Sequence, residues 1–289
     1  MKTERSDLLV PASEQPNLKK EAFTYPSWTL TERQICDLEL LLNGGFSPLK
    51  GFLDKADYDS VLGNMRLADG SLWPVPITLD VTEQFSANVK IGDLITLRDK
   101  EGFALAVLTI SDIWMPDLKA EARAVFGTMD DTHPGVHYLY YTSYPVYVGG
   151  EIRGISLPHH YDYQQDRHSP DQLKSIFKQK GWKKVVAFQT RNPLHKAHVE
   201  MTKRAINKHN AALLIHPVVG MTKPGDVNHY TRARCYQHIL KEYPKDTALL
   251  SLLPLAMRMA GPREALWHGL IRKNYGCTHI IVGRDHDSP

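Results

Sequence analysis

The segment QTRNPLHKAH, residues 189–198, places side chains that suit an anionic ligand close together. Gln189 and Arg191 can donate hydrogen bonds to an oxyanion, and the planar guanidinium of arginine can bond two oxygens at once. His195 and His198 are three residues apart, so they share one face if the segment is helical. The residue types therefore indicate a site for phosphate or another oxyanion.

The same segment carries signals for the start of a helix. Asn192 suits the N-cap and Pro193 the first helical position, so we expect a helix over residues 193–207. Both imidazoles would then lie beside free backbone N–H groups at the positive end of the helix dipole, which favours phosphate. Taken alone, the histidine pair also fits two solvated side chains, or a metal pair that would need a third ligand.

Strands and helices alternate on both sides of this segment. A helix is expected to start at Ser169 and Pro170. It is followed by four expected strands, over residues 184–188, 212–219, 247–254 and 278–283. Helices over residues 193–207, 229–243 and 261–276 are expected between these strands. Continuous apolar strands in this arrangement are typical of a parallel sheet that is buried on both faces. Ligands of such sheets bind at the carboxyl ends of the strands.

Two further segments reach the same predicted edge. GRDH, residues 283–286, follows the last strand and adds Arg284 and His286, while GMTKPGD adds Lys223 after the second strand. Surface charge is the usual role of an arginine, and it is the alternative for Arg191 and Arg284. The convergence of cations and amides on one edge favours an anion-binding cleft.

The first part of the chain has a different pattern, with short apolar runs between turn residues. Residues 73–81, 93–99 and 103–113 are predicted strands, and residues 43–52 are a predicted loop. A helix is predicted before that loop, with Thr29 or Thr31 as its N-cap and with Gly44 and Gly45 at its end. The polar segment 159–170 is the candidate linker. We therefore predict a mostly β domain over residues 1–165 and an α/β domain over residues 166–289.

Composition narrows the class of protein. The 289 residues carry a net charge of +3, too mild to favour a nucleic-acid or membrane partner. Three widely spaced cysteines indicate free thiols in a reducing compartment. The charged N-terminus lacks the apolar segment of a secretory signal, and no apolar run is long enough to span a bilayer. We expect a cytoplasmic protein.

The sequence resembles the ATP sulfurylase family. QTRNPLHKAH is similar to that family's Q-x-R-N and H-x-x-H signatures, and three more of its blocks follow in order: LLIHPVVGMTKPGD, LSLLPLAMRMAGPREALWH and IIVGRDH. LLNGGFSPLKGF and RLADGSLWPVPITLDV resemble its N-terminal domain. The resemblance extends from about Asp37 to His286. H-x-x-H alone is shared by many nucleotidyltransferases, so the order and spacing of the blocks carry the match.

The resemblance implies a PUA-like N-terminal domain, a Rossmann-like nucleotidyltransferase domain and a reaction. Sulfate would attack the α-phosphate of Mg²⁺-bound ATP, giving adenylyl sulfate and pyrophosphate, or the reverse, without a covalent enzyme intermediate. The catalytic residues would be Arg191, Asn192, His195 and His198. Sulfate would be bound by Gln189, Arg191 and Asp287, and ATP by Gln189, Thr190, Arg191, Asn192, His195, His198, Gly283, Arg284, Asp285 and His286. No residue would be a metal ligand. Related enzymes imply a homo-oligomer.

Two departures from the family pattern leave an alternative open. Asp287 and Ser288 follow GRDH where the family has small residues, and a carboxylate there should repel a bound dianion. The chain also ends three residues after GRDH, whereas family members continue. The alternative is a catalytically impaired, truncated homologue that binds nucleotide or another subunit. A nucleotidyltransferase for a different acid is a weaker alternative, because the Q-T-R-N turn is intact.

Overall fold

The computed structural model describes residues 7–222 and 225–283. These residues cluster into two compact units. One unit holds residues 7–158 and 258–267, and the other holds residues 159–222, 225–257 and 268–283. The domain boundary at residues 165/166 stays a prediction.

The first unit contains one mixed sheet and several helices. Its described helices are α1 (Gln15–Ala22), α2 (Glu32–Leu42), α3 (Lys55–Asn64), α4 (Glu83–Ser86), α5 (Leu118–Phe126) and α6 (Pro134–Tyr141). Its described strands are β1 (Ser27–Thr29), β2 (Gly51–Phe52), β3 (Leu79–Val81), β4 (Leu94–Arg98), β5 (Ala104–Trp114) and β6 (Val146–Gly154). The strand order is β1-β4-β5-β6-β2, and β3 also pairs with β6. β1 runs parallel to β4, and the other pairs are antiparallel.

Local sequence explains most of these elements. Thr31 caps α2 through a capping box with Gln34, as the predicted helix start requires. The predicted strand over residues 73–81 is wrong for most of its length, because only β3 pairs. Pro74 and Pro76 lack the backbone N–H that a strand ladder needs, so the run before β3 stays irregular. The predicted loop over residues 43–52 ends in the two-residue strand β2, which pairs with β6.

The second unit contains a parallel sheet. Its described strands are β7 (Val185–Phe188), β8 (Ala212–Ile215), β9 (Ala248–Leu250) and β10 (His279–Ile281). Its described helices are α7 (Pro170–Gln179), α8 (Lys196–His209), α9 (His229–Ile239) and part of α10 (Pro262–Asn274). The residues of α10 up to Trp267 cluster with the first unit, and those from His268 cluster with the second. Two 3₁₀ turns span Gln164–Asp166 and Leu240–Glu242. The order among the described strands is β10-β7-β8-β9, with every pair parallel.

Burial on both faces explains the apolar strands of this sheet. Every residue of β7 and β8 is buried. Val186, Phe188 and Leu213 belong to a core cluster that also includes Val199 and Ile206 of α8. The prediction of a parallel sheet covered by helices is confirmed. The start of α7 is confirmed as well, since Ser169 caps it and Pro170 is its first residue.

Candidate functional site

The topology of the parallel sheet defines a crevice beside the end of β7. From β7 the chain proceeds to β8 and then β9 on one side, and it returns to the other side of β7 as β10. Strand order therefore reverses between β7 and β10. In open α/β sheets, ligands bind outside the carboxyl ends of the strands at such a switch point. The segments that begin at Gln189 and at Val282 flank this point.

The turn after β7 is closed by hydrogen bonds of its own residues. The hydroxyl of Thr190 accepts a hydrogen bond from the Asn192 backbone N–H at 3.1 Å and donates to the Asn192 carbonyl at 3.0 Å. Tyr236 of α9 also donates its hydroxyl to that carbonyl, at 2.9 Å. Gln189 and Thr190 are buried, whereas Asn192 is exposed. The turn is thus fixed to α9, and the Asn192 side chain lies at the surface.

These hydrogen bonds displace the start of α8 from its predicted position. The predicted helix over residues 193–207 with Asn192 as N-cap is wrong at its start, because α8 begins at Lys196 with His195 as N-cap. The Asn192 carbonyl bonds Thr190 and Tyr236, while the His195 carbonyl accepts from the N–H groups of His198 and Val199. The N-cap prediction followed residue type and could not include the contact with Tyr236.

The later helix start places the two histidines at the N-terminus itself. His195 is the N-cap and His198 lies in the first turn, with ring centroids 3.8 Å apart and ring planes 30° apart. His195 is exposed, and the partly buried His198 packs against Phe188 at 5.6 Å. Burial, and secondly the neighbouring His195, lowers the pKa of His198. Its buried Nδ1 has no hydrogen-bond partner within the described part of the chain. An anion at this helix terminus would meet two imidazoles together with the backbone N–H groups of the first turn.

Arg191 lies on the same turn and pairs with a residue that sequence reasoning missed. Its Nη1 is 3.4 Å from Oδ2 of Asp226, and both side chains are largely buried. Asp226 comes from the segment between β8 and α9, 35 residues further along the chain. No periodic pattern or spacing identifies such a pair. The carboxylate holds the guanidinium beside the crevice, and it also competes with an anionic ligand for it.

The segment after β8 is fixed to the same turn by the buried Arg232. The backbone N–H of Val218 donates to the Thr190 carbonyl at 3.1 Å. Arg232 of α9 donates through Nη1 to the Val218 carbonyl at 2.8 Å and through Nε to the Val227 carbonyl at 2.7 Å. Arg232 thus joins both ends of the segment that carries Asp226. No sequence pattern signals this role, because it is made by backbone contacts.

His216, directly after β8, is a second residue that sequence reasoning missed. It is fully buried, its backbone N–H donates to the Phe188 carbonyl at 2.9 Å, and its carbonyl accepts from Nη2 of Arg272 at 3.1 Å. Neither ring nitrogen has a hydrogen-bond partner among the residues the structure describes. Burial lowers its pKa well below the usual range, and the neighbouring Arg272, His168 and His268 add to that shift. A neutral imidazole therefore lies beneath the carboxyl edge of the sheet.

Of the remaining predicted site residues, one lies within the described ranges and five lie outside them. Gly283 is exposed and comes two residues after β10, beside β7. Lys223, Arg284, Asp285, His286 and Asp287 lie outside the described residues. The structure therefore brings together Gln189, Thr190, Arg191, Asn192, His195 and His198 at one end of the sheet.

Neither a metal-ligand cluster nor a membrane-crossing helix occurs in the described ranges. Residues 7–222 and 225–283 contain no group of three or more histidine, cysteine or acidic side chains that could hold a metal ion. Among the helices of those ranges, none combines the length and apolarity that a membrane crossing requires.

The chain is of the class in which a PUA-like domain precedes an α/β domain with a ligand crevice at the edge of a parallel sheet. The sequence model of the PUA-like domain matches residues 2–157, and that of ATP-sulfurylase matches residues 164–289. The chain belongs to the ATP-sulfurylase family. It is 55% identical over 278 residues to a sulfate adenylyltransferase of Eremothecium gossypii, and 54% identical over 281 residues to one of Schizosaccharomyces pombe.

These matches include nearly the whole chain but only part of the relatives. Each covers 96% of this chain, against 55% of the Eremothecium protein and 57% of the Schizosaccharomyces protein, so the chain spans about half the length of these curated relatives. A solved structure described as a hexameric APS kinase from Thiobacillus denitrificans is similar with a TM-score of 0.82 and 33% identity. The similarity covers 96% of this chain and 51% of that one.

Proposed function

We propose that the chain catalyses adenylyl transfer between ATP and sulfate, as a sulfate adenylyltransferase. The observation that supports this most strongly is the grouping of Arg191, His195 and His198 at the switch point of a parallel sheet. The relatives that carry the name sulfate adenylyltransferase share more than half of their aligned residues with this chain. The alternative of a catalytically impaired homologue has no such support from the described site.

The reaction needs charge stabilisation and alignment. A sulfate oxygen forms a bond to the α-phosphorus of ATP as the bond from that phosphorus to the bridging oxygen of pyrophosphate breaks. The electron pair leaves with pyrophosphate, so the reaction requires no redox partner and no covalent intermediate on the protein. Positioning together with electrostatic stabilisation provides most of the catalysis in such transfers.

Each residue of the turn has a proposed role that follows from its position. Gln189 and Arg191 would bind sulfate, because the guanidinium offers two parallel donors. His195 and His198 would bind the phosphates at the N-terminus of α8 and stabilise the charge that develops there. Asn192 would orient the phosphates from the exposed side of the turn. We assign Thr190, Gly283, Arg284, Asp285 and His286 to ATP, and Asp287 to the edge of the sulfate pocket.

Mg²⁺ would reach the site with ATP. This ion prefers oxygen ligands, keeps several waters and is usually held by substrate phosphates with one or two carboxylates. When bound, Mg²⁺ would neutralise part of the phosphate charge, and the residues of the turn would position the phosphates.

We further propose a cytoplasmic homo-oligomer. The free thiols of Cys36, Cys235 and Cys277 support a reducing compartment. The similar Thiobacillus protein is described as hexameric, which supports self-association of this chain. Light scattering after size exclusion measures the mass directly, and a monomer at micromolar concentration would contradict the oligomer.

The test of the activity is sulfate-dependent release of pyrophosphate from ATP. Purified chain, ATP and Mg²⁺ are incubated with and without sulfate, with pyrophosphatase added to remove the product, and adenylyl sulfate is measured by chromatography. We expect adenylyl sulfate only when sulfate is present. Nucleotide binding without adenylyl sulfate would overturn the proposal in favour of the impaired homologue.

A further inference from the structure

A small polar cavity in the first unit lies among side chains that the proposed reaction does not use. It encloses about 30 Å³ and is lined by both polar and apolar side chains, among them Arg33, Asp80, Glu121, Tyr138 and Arg258. That volume holds one small ion or one to two waters, whereas pockets for drug-sized ligands measure hundreds of Å³. The cavity therefore suits a very small occupant.

Arg33 offers a hydrogen-bond donor in this cavity without a protein acceptor. Its guanidinium carbon lies 3.3 Å from the centroid of the Tyr138 ring, so the two planar groups are in contact. Its Nε is buried and has no hydrogen-bond partner within the described chain. Burying an N–H donor without an acceptor is costly.

The carboxylates of the cavity are bound to other donors. Oδ1 of Asp80 accepts from the amide of Gln34 at 2.8 Å, and Oδ2 accepts from the Tyr144 backbone N–H at 2.8 Å. Oε2 of Glu121 accepts from the hydroxyls of Tyr58 at 2.8 Å and of Tyr147 at 3.0 Å. Burial also raises the pKa of Glu121, which favours its neutral form. Neither group is bonded to Arg33.

A second guanidinium adds positive charge to the cavity. Arg258 pairs with the buried Asp37 at 2.5 Å, so that carboxylate offsets part of the charge of Arg258. Burial, and secondly the neighbouring Arg258, lowers the pKa of Arg33 to about 10, while Asp37 and Asp80 act in the opposite direction. Arg258 thus still repels Arg33 across a volume that an anion could fill.

We propose that this cavity binds one monovalent inorganic anion of the size of chloride, held by the guanidinium of Arg33 beside Arg258 and the Tyr138 ring. The anion accepts the Nε–H group that lacks a protein acceptor and reduces the repulsion between the two arginines. Because Arg33 belongs to α2 and Tyr138 to α6, bound anion stabilises the contact between these helices. The site is independent of the proposed adenylyl transfer.

Bromide substitution locates the anion directly in the full chain. Crystals of the wild-type protein are transferred from chloride to bromide and measured at the bromine absorption edge. We expect an anomalous peak at hydrogen-bonding distance from the guanidinium nitrogens of Arg33. Ordered water alone in the cavity, with bromide peaks only elsewhere, would overturn the proposal. This measurement needs no variant and does not depend on enzyme activity.

Thermal unfolding in chloride gives a second, independent test. Chloride replaces gluconate, an anion too large for the cavity, at constant ionic strength. When chloride is tenfold above its Kd, we expect the Tm of the wild type to rise by roughly 2–4 °C. Arg33→Met should lose this shift, and Arg153→Met, a control at a largely exposed arginine, should keep it. An equal rise of Tm with chloride in the wild type and in Arg33→Met would contradict the site. If Arg33→Met fails to fold, Arg33→Lys is used in its place.

Discussion

His195 and His198 are the two side chains whose chemistry the proposed site depends on most. Their rings lie 3.8 Å apart at a helix N-terminus. The pKa of His198 is lowered by burial and by its neighbour, which favours the neutral imidazole in the free protein. A dianionic ligand beside the pair would oppose that shift, since opposite charge favours the protonated form. The proposed substrate would thus favour the positive charge that its transition state needs.

Loss of the His198 ring should abolish adenylyl transfer. For His198→Ala we expect kcat to fall by about 100- to 1,000-fold, the usual effect of removing one transition-state hydrogen-bond donor. His238→Ala, on the exposed side of α9, serves as the matched control and should keep wild-type kcat. Circular dichroism checks that both variants fold. A fully active His198→Ala enzyme would remove His198 from the proposed mechanism.

Substitution of Arg191 tests the sulfate site. Arg191→Lys keeps the charge but loses the planar pair of donors, so the KM for sulfate should rise by about 10- to 100-fold. The KM for ATP should change less. Arg204→Lys on the exposed face of α8 is the control and should leave both constants unchanged. Wild-type affinity for sulfate in Arg191→Lys would show that another group binds the anion.

Asp226 competes with the ligand for Arg191, which leads to a prediction of opposite sign. Asp226→Asn removes a negative charge 3.4 Å from the guanidinium, so sulfate should bind about 3- to 10-fold more tightly. Asp226→Glu retains the charge and should bind sulfate as the wild type does. Both KM values come from the pyrophosphate-release assay. Weaker sulfate binding by Asp226→Asn would mean that the carboxylate mainly positions Arg191.

At the scale of helices and strands, periodicity predicted the parallel sheet of the second unit and the helices that cover it. The continuous apolar runs that contain β7 and β8 are buried on both faces, as their composition indicates. Ser169 and Pro170 marked the start of α7 correctly. The alternation of strands and helices alone predicted that the segments after the strands share the carboxyl edge of the sheet. These features depend on residues that are close in sequence.

Contacts between distant residues could not be predicted from the sequence. The start of α8 depends on the hydrogen bond from Tyr236 to Asn192, 44 residues apart. Asp226, Arg232 and His216 were missed because their partners are backbone groups or side chains on other elements. In the first unit, the composition of residues 73–81 favoured a strand, but two prolines prevented the pairing.

The buried His216 at the end of β8 should make stability depend on pH. Its folded pKa lies below the unfolded value of about 6.5, so the unfolded chain binds more protons and stability falls as pH drops. Between pH 7.5 and 5.5 this single group should remove roughly 1 kcal/mol from the free energy of unfolding. Denaturant titration measures that loss. His216→Gln should lose roughly 1 kcal/mol less over the same range, while exposed His238→Gln should behave as the wild type.

If this difference between the wild type and His216→Gln were not seen, another group would cause the loss of stability in acid. If His216→Gln and the wild type lost equal stability between pH 7.5 and 5.5, His216 would bind protons in the folded protein as it does in the unfolded chain. A buried His216 that is protonated at pH 5.5 would need an anionic partner, and the neutral imidazole beneath the sheet edge would be wrong.

At the scale of the whole chain, two compact units carry different features. The parallel sheet and its crevice belong to the second unit, while the cavity of Arg33 belongs to the PUA-like first unit. The family match is continuous over 96% of the chain, although it spans only about half of the curated relatives. The central question is therefore whether this 289-residue chain carries out the transfer itself.

Formation of ATP from adenylyl sulfate and pyrophosphate answers that question. The wild-type chain and His198→Ala are each incubated with adenylyl sulfate, pyrophosphate and Mg²⁺, and ATP is measured by luminescence. We expect ATP from the wild type and a loss of at least about 100-fold in His198→Ala. No ATP from a folded wild-type chain that still binds nucleotide would contradict the proposed enzyme.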